Sequence, residues 1–78
     1  MKKIINRKTY NTETSETLGR ITFGAFGDDD GFEEILMQTK SGNFFIYGIG
    51  GASSKYTEET IVPLTAAEMK AWKKENNR

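Results

Sequence analysis

Residues 34–47 read Glu34-Ile35-Leu36-Met37-Gln38-Thr39-Lys40-Ser41-Gly42-Asn43-Phe44-Phe45-Ile46-Tyr47 and form the clearest structural signal in the chain. Two segments rich in apolar residues, 34–40 and 44–47, flank three residues that favour turns, 41–43. This pattern predicts an antiparallel β-hairpin. With Lys40 opposite Asn43, the predicted pairs are Thr39 with Phe44, Met37 with Ile46 and Ile35 with Gly48 on one face, and Gln38 with Phe45 and Leu36 with Tyr47 on the other. Both faces are apolar, so each needs another element packed over it.

After residues 48–59, the sequence predicts a C-terminal helix that could pack on one face of the sheet. Thr65-Ala66-Ala67-Glu68 is a capping box, with Thr65 at the N-cap and Glu68 three residues later. Leu64 and Met69 complete a hydrophobic staple. Met69 and Trp72 lie three residues apart on one side of the helix, so we expect both to dock on the sheet.

The N-terminal third of the chain predicts a hairpin, a short helix and a strand. The hairpin pairs 3–5 with 8–10 around a bend at Asn6-Arg7. Asn11 or Thr12 caps a helix over 13–18, and Gly19 ends it. The alternation over 20–26 predicts a further strand. The expected fold is therefore α+β: one domain over 1–78, with a small antiparallel sheet of about four or five strands and a short N-terminal and a C-terminal helix packed on it.

The composition excludes most common active sites. The chain has 78 residues, with neither Cys nor His, so it lacks a thiol nucleophile, an imidazole base and the preferred ligands of zinc. Eleven basic residues balance eleven acidic ones, which gives no whole-molecule attraction to polyanions. We therefore expect a protein that is not an enzyme and that uses no cofactor.

The charges are nevertheless segregated along the chain. Residues 1–20 carry five basic residues against two acidic ones, and 70–78 carry four basic residues against one. Residues 21–39 carry five acidic residues and no basic one. The acidic residues of this middle segment are Asp28, Asp29, Asp30, Glu33 and Glu34. Such charges usually lie on solvated loops and helix ends, but they can also form a binding surface.

Two motifs resemble ligand sites without matching them. The glycine-rich segment 48–55 has neither the Walker spacing nor the dinucleotide fingerprint, so a glycine-permitted turn is the favoured interpretation. Residues 28–31 resemble part of a calcium loop, but Phe26 and Met37 stand where an EF-hand needs carboxylates. An incidental Ca²⁺ or Mg²⁺ site at residues 28–31 stays an alternative hypothesis. Glu33 and Glu34 point to opposite faces of a strand and cannot share a substrate.

The aromatic residues raise the question of nucleic-acid binding. Phe44, Phe45, Tyr47 and Tyr56 lie close in sequence to Lys40 and Lys55, a combination that can stack bases and contact phosphates. Core packing accounts for most of these rings, and the acidic residues between 28 and 34 repel phosphate. We therefore do not expect direct nucleic-acid binding through these aromatics.

The chain is expected to be cytoplasmic and to have no membrane partner. No apolar run approaches the roughly 20 residues of a membrane span, and Met1-Lys2-Lys3-Ile4-Ile5 is followed by polar residues rather than by a signal-peptide core. At this length a hydrophobic core is barely sufficient. A homodimer or a large partner is therefore plausible.

Three blocks of sequence carry a resemblance to a known family. They are Met1-Lys-Lys-Ile-Ile-Asn-Arg-Lys-Thr-Tyr-Asn-Thr-Glu-Thr14, the segment 40–56, and Ile61-Val-Pro-Leu-Thr65 with Glu68 and Trp72. In this order they resemble a mostly uncharacterised family of short proteins of Gram-positive bacteria, their phages and mobile elements. Arg7, Asn11 and Ile49 replace the usual Gly, Asp and Glu of that family. Small phage and mobile-element proteins of this kind include anti-CRISPR inhibitors.

The resemblance implies an inhibitor that binds a host defence effector, most concretely a Cas9-type nuclease. Because such nucleases hold nucleic acid in positively charged channels, an acidic segment could occupy a phosphate path. The expected partner-binding residues are Asp28, Asp29, Asp30, Phe32, Glu33 and Glu34, with Phe32 as the aromatic anchor. The alternative is a nucleic-acid-binding accessory protein of a mobile element, which would use Lys2, Lys3, Arg7 and Lys8 together with the C-terminal lysines.

Overall fold

The computed structural model describes residues 1–24 and 29–76, which form six strands and one helix. The elements are β1 (Lys2–Ile5), β2 (Lys8–Asn11), β3 (Glu16–Phe23), β4 (Phe32–Gln38), β5 (Phe44–Gly50), β6 (Thr60–Leu64) and α1 (Ala66–Asn76). Strands β3 to β6 form a four-stranded antiparallel sheet in chain order, and β1 and β2 form a separate two-stranded sheet. The α+β class is confirmed.

The central hairpin of β4 and β5 is present, but its predicted register is wrong by one residue. Gln38 pairs with Phe44, so residues 39–43 form a five-residue connection rather than a two-residue turn. The Thr39 amide donates to the Asn43 carbonyl oxygen (2.8 Å), and the Asn43 amide donates to the Thr39 hydroxyl (3.0 Å). These two bonds close the wider loop. Gly42 supplies the positive φ of 91° that the loop needs.

Each face of the four-stranded sheet has its own core, as two apolar faces require. Adjacent residues on β4 and β5 point to opposite faces, and Leu36 and Phe45 are both fully buried. One cluster contains Tyr10, Met37, Phe45 and Ile61, and the other contains Leu36, Ile46 and Met69. The β1–β2 hairpin packs over the first cluster and α1 over the second. The prediction that helices pack over both faces is therefore wrong for the first face.

The N-terminal helix predicted over 13–18 is wrong. Asn11 does accept hydrogen bonds, from the Glu13 amide at its side-chain oxygen (3.0 Å) and from the Ser15 hydroxyl at its carbonyl oxygen (2.6 Å). These bonds close a turn over 12–15 rather than starting a helix. A helix of six residues gains little on its own, whereas strand pairing satisfies the same backbone groups along the whole edge of β4.

Strand β3 begins at Glu16, four residues before the predicted start. The prediction over 20–26 is confirmed for residues 20–23. It is wrong for Gly24, where the strand has ended, and 25 and 26 lie outside the described residues. Gly19 ends no helix. It lies in β3 opposite Leu36, next to a bulge at Leu18, and a Cβ built on it would lie 3.1 Å from the ring of Trp72. The absence of a side chain lets the indole rest on the strand.

The predicted N-terminal hairpin is confirmed. Ile5 pairs with Lys8, so Asn6-Arg7 is a two-residue turn. Both turn residues have positive φ, 51° for Asn6 and 64° for Arg7, as in a type I′ turn. Tyr10 is 4% exposed and meets Phe45 edge-on at 5.4 Å, which fixes the hairpin to the sheet.

The C-terminal helix and its cap are confirmed. The Glu68 amide donates to the Thr65 hydroxyl (3.1 Å), and the Thr65 amide donates to the Glu68 carboxylate (2.9 Å). Met69 is buried and Trp72 packs against the same cluster. The strand β6, which precedes the helix, was not predicted; Pro63 is tolerated there because β6 is an edge strand. Within residues 1–24 and 29–76 no helix is long and apolar enough to cross a membrane.

Candidate functional site

The acidic segment predicted to bind a partner lies at the end of the sheet where β3 ends and β4 begins. Asp29 and Asp30 are exposed in the turn before β4, and Asp28 lies outside the described residues. A Cβ built on Gly24 would lie 3.2 Å from the Gly31 Cα, so the two strand ends approach closely. In the part of the chain that the structure describes, no three carboxylates converge as a metal ion would require.

Phe32 is an internal support rather than an exposed anchor. Its ring is half-buried, stacks on Phe23 at 5.2 Å with an interplanar angle of 19°, and meets Tyr56 edge-on at 5.6 Å. Phe23 is 60% exposed. Among the described residues at this end of the sheet, the exposed aromatic ring is therefore Phe23, which was not predicted from the sequence to bind a partner. Its place in the alternating pattern of β3, at the last position before the acidic loop, was the available signal.

Glu33 lies at the surface on the opposite face from Phe32. Its carboxylate is 3.7 Å from the Nε of Arg20, and the two side chains are 30% and 62% exposed. An ion pair this exposed contributes little to stability. Glu33 therefore lies on the other face of the sheet from Phe23, where Arg20 partly balances its charge.

Glu34 is buried, unlike the other described carboxylates of the predicted binding segment. The residue is 7% exposed. Its Oε2 accepts a short hydrogen bond from the Tyr56 hydroxyl and one of 3.3 Å from the Lys55 ammonium, and its Oε1 accepts one of 3.3 Å from the Trp72 indole. A buried carboxylate needs such partners, and here they come from the loop after β5 and from α1.

These partners determine the ionisation of Glu34. Burial by itself raises the pKa of the carboxyl. The hydrogen bonds from Tyr56 and Trp72, together with the charge of Lys55, outweigh burial, so the pKa lies below its ordinary value. Burial and the Glu34 carboxylate in turn raise the pKa of Tyr56. Glu34 is therefore ionised, and both of its carboxylate oxygens accept hydrogen bonds within the protein.

The glycine-rich segment 48–55 packs against the acidic turn instead of forming a phosphate cradle. The Gly51 amide donates to the Gly31 carbonyl oxygen (3.0 Å), and the Ser53 amide donates to the Asp29 carbonyl oxygen (2.8 Å). A Cβ on Gly50 would lie 2.7 Å from the Gly31 oxygen, so only glycine allows this approach. The loop's amides are thus used to hold 29–31 in place.

The two groups of basic residues predicted to bind nucleic acid lie on opposite sides of the sheet. Lys2, Lys3, Arg7 and Lys8 are exposed on the β1–β2 hairpin, and Lys70, Lys73 and Lys74 are exposed on α1. Since the hairpin and the helix pack on opposite faces, the structure does not bring the two basic groups together. Arg78 lies outside the described residues.

The aromatics weighed as base-stacking residues are committed to the interior. Phe45 and Tyr56 are buried, and Phe44 and Tyr47 are half-buried. Tyr47 also donates a hydrogen bond of 2.7 Å to Glu59, and burial together with this carboxylate raises its pKa to about 12. Phe45 and Tyr56 therefore present no open face on which a base could stack.

The exposed groups at this end of the sheet form the candidate site, which we call the acidic end and define as Phe23, Asp29 and Asp30. It combines an exposed ring with carboxylates on a turn that a second loop holds by backbone hydrogen bonds. Such a surface can bind a protein partner. The chain matches no family model, no curated protein and no solved structure. We therefore infer its function from the arrangement of its own residues.

Proposed function

We propose that this protein is a non-enzymatic inhibitor that binds a host defence effector through its acidic end. The most concrete target is a Cas9-type nuclease, which would make the protein an anti-CRISPR factor of a phage or another mobile genetic element. It would act in the cytoplasm of the bacterial host. The mechanism is occlusion by a protein–protein interaction and includes no chemical step.

The observation that carries the proposal is the exposed ring of Phe23 beside two exposed carboxylates on a fixed turn. Phe23 is supported from below by Phe32, so it can insert into a partner's pocket without losing much conformational freedom. Asp29 is held through its carbonyl oxygen by the Ser53 amide, and this bond does not use its exposed side chain. A rigid aromatic anchor with adjacent carboxylates is complementary to a basic protein surface.

The effector's chemistry supports this choice of partner. Cas9-type nucleases hold the guide–target duplex in a positively charged channel and recognise it through its backbone. Asp29 and Asp30 can pair with the cations that otherwise contact phosphates, while charge complementarity accelerates association. Binding at such a channel would exclude nucleic acid.

The direct test is inhibition of DNA cleavage by purified Cas9-type nucleases, with the protein added before or after guide RNA loading. Asp29→Lys/Asp30→Lys should weaken inhibition by at least about tenfold and reduce its dependence on salt. Phe23→Ala should cost about 2 kcal/mol of binding, or roughly 30-fold in Kd.

Glu13→Lys/Glu75→Lys is the matched control, because it makes the same change in net charge at two exposed positions elsewhere. It should inhibit like the wild type. Loss of inhibition in both double variants would show that only net charge matters. Full inhibition by Asp29→Lys/Asp30→Lys, or no inhibition by the wild type, contradicts the proposal.

A further inference from the structure

The β1–β2 hairpin carries a second charged surface that the acidic end does not use. Its four cations, Lys2, Lys3, Arg7 and Lys8, are all exposed, and residues 1–12 contain no acidic residue. We propose that this hairpin binds the phosphate backbone of nucleic acid. The inference is independent of the proposed inhibitor function.

The hairpin presents its cations on a fixed ribbon. The Asn6-Arg7 turn places Arg7 and Lys8 at one end, and Lys2 and Lys3 lie at the other. At about 3.4 Å per residue the two ends are roughly 10–13 Å apart, which equals the rise of three to four nucleotide steps along one strand. Lys3 and Lys8 lie on the face of the ribbon that carries Tyr10, and Lys2 lies on the other face, so a strand that contacts all of them runs along the edge of the ribbon. Tyr10 anchors the ribbon to the sheet at 4% exposure, so the backbone that carries the cations is fixed before a ligand arrives.

These charges are available to a ligand. Among residues 1–24 and 29–76 the salt bridges join Arg20 to Glu33 and Lys55 to Glu34, and neither involves the hairpin. Ammonium and guanidinium groups without a protein counterion release the condensed counterions of a polyanion when they bind it. The whole-chain neutrality that argued against nucleic-acid binding therefore does not describe this surface.

The hairpin suits nucleic acid better than an anionic membrane. A membrane-surface element needs a broad apolar face, usually with aromatic residues. Ile4 is 67% exposed on the ribbon, but the ribbon's aromatic residue, Tyr10, points into the core. Lys2 and Lys3 follow directly on Met1, which is 36% exposed, so the apolar area remains narrow beside the four charges.

The test measures binding of a labelled 20-nucleotide RNA and a 20-base-pair DNA duplex by fluorescence anisotropy. With all four cations engaged, the salt slope should approach roughly −3.6 for the duplex and −2.8 for the single strand. The duplex affinity then falls by roughly 150-fold between about 50 and 200 mM salt.

Two variants that each remove four charges locate the surface. Lys2→Gln/Lys3→Gln/Arg7→Gln/Lys8→Gln should bind at least about tenfold more weakly, with a slope reduced by about one for each lost contact. Lys40→Gln/Lys70→Gln/Lys73→Gln/Lys74→Gln should keep the wild-type affinity within about threefold. Thermal melting followed by circular dichroism checks that both variants fold.

Three results would overturn the inference. They are the absence of nucleic-acid binding at about 50 mM salt, equal losses in the two variants, and binding by the wild type only to vesicles containing phosphatidylserine. The last result would assign the hairpin to a membrane surface. A folded hairpin variant that keeps wild-type Cas9 inhibition while losing nucleic-acid binding supports two separate surfaces.

Discussion

The indole nitrogen of Trp72 lies 3.3 Å from Oε1 of Glu34 and donates a hydrogen bond to it, which joins α1 to the sheet through a buried carboxylate. The same ring lies against Gly19 of β3. One side chain therefore contributes both apolar packing and a charge-assisted hydrogen bond. Replacing Trp72 with Ala or with Phe separates the apolar packing from the hydrogen bond.

Trp72→Ala should lower the free energy of unfolding by about 3 kcal/mol, because it removes a large part of the helix's contact with the sheet. Trp72→Phe keeps most of that contact and loses the donor to Glu34, so it should cost about 1.5 kcal/mol. Urea unfolding followed by far-ultraviolet circular dichroism measures both. Unchanged midpoints would contradict the docking of α1 on the sheet.

Glu34 predicts an acid-sensitive contribution to stability. Its pKa is lowered in the folded protein, so below about pH 5 the unfolded chain binds more protons and the free energy of unfolding falls as pH falls. The full contribution of Glu34 to stability is present at pH values above the ordinary carboxyl pKa of about 4.3. It is lost as the pH falls through the lower pKa that Glu34 has in the folded protein. The difference in stability between the wild type and Glu34→Gln should therefore be smaller at pH 3 than at pH 7.

Glu33→Gln is the matched control for that experiment, since it changes the neighbouring, exposed carboxylate. It should alter stability by less than about 1 kcal/mol. An equal wild-type advantage over Glu34→Gln at both pH values would show that the Glu34 hydrogen bonds do not depend on its charge.

Gly48 should tolerate no side chain while Tyr56 is present. The two are in close contact, and a Cβ on Gly48 would overlap the Tyr56 ring. Gly48→Ala should cost about 2 kcal/mol in the wild type and much less in a Tyr56→Ala background, where the ring is gone. A double-mutant cycle in urea measures this coupling; strictly additive effects would contradict the contact.

Arg7→Gly should stabilise the protein by about 1 kcal/mol. Arg7 has a φ of 64°, a conformation that costs a residue with a Cβ roughly this much and that glycine adopts freely. Arg7→Ala removes the same charge but keeps the Cβ, and it should bring no such gain. Equal stabilisation by both variants would assign the effect to charge instead of backbone strain.

Added ATP should not raise the melting temperature. The amides of Gly51, Ser53 and Ser54 already donate to backbone carbonyl oxygens, so the 48–55 segment has few donors left for phosphate. A true site at 100 times its Kd would add about 2.7 kcal/mol. A clear upward shift in differential scanning fluorimetry would restore the phosphate cradle as a hypothesis.

The features that depend on residues close together in the sequence could be predicted from it. The Thr65–Glu68 capping box and the Asn6-Arg7 turn each lie within four residues, and both are present. The prediction of a helix over 13–18 was wrong because residues 16–18 belong to β3, which pairs with β4. The partner residues on β4 lie about twenty positions away in the sequence. The register of β4 and β5 was wrong because Thr39 and Asn43 bond across a wider loop.

The candidate site was predictable in part. Charge segregation located the acidic turn, but composition could not show that Glu34 is buried, because its donors Tyr56 and Trp72 are 22 and 38 residues away. Composition also could not show that Phe32 stacks on Phe23. The glycine segment looked like a ligand loop because a close approach to a backbone oxygen and one to a phosphate both require glycine.

The order of strands β3, β4, β5 and β6 has a consequence for folding kinetics. Each strand pairs with its immediate successor, so the loops that must close are short and their closure entropy is low. Contacts such as Trp72 with Glu34 span much longer loops. We therefore expect the β4–β5 hairpin to form in the transition state and α1 to dock afterwards, so that substitutions in the helix mainly accelerate unfolding.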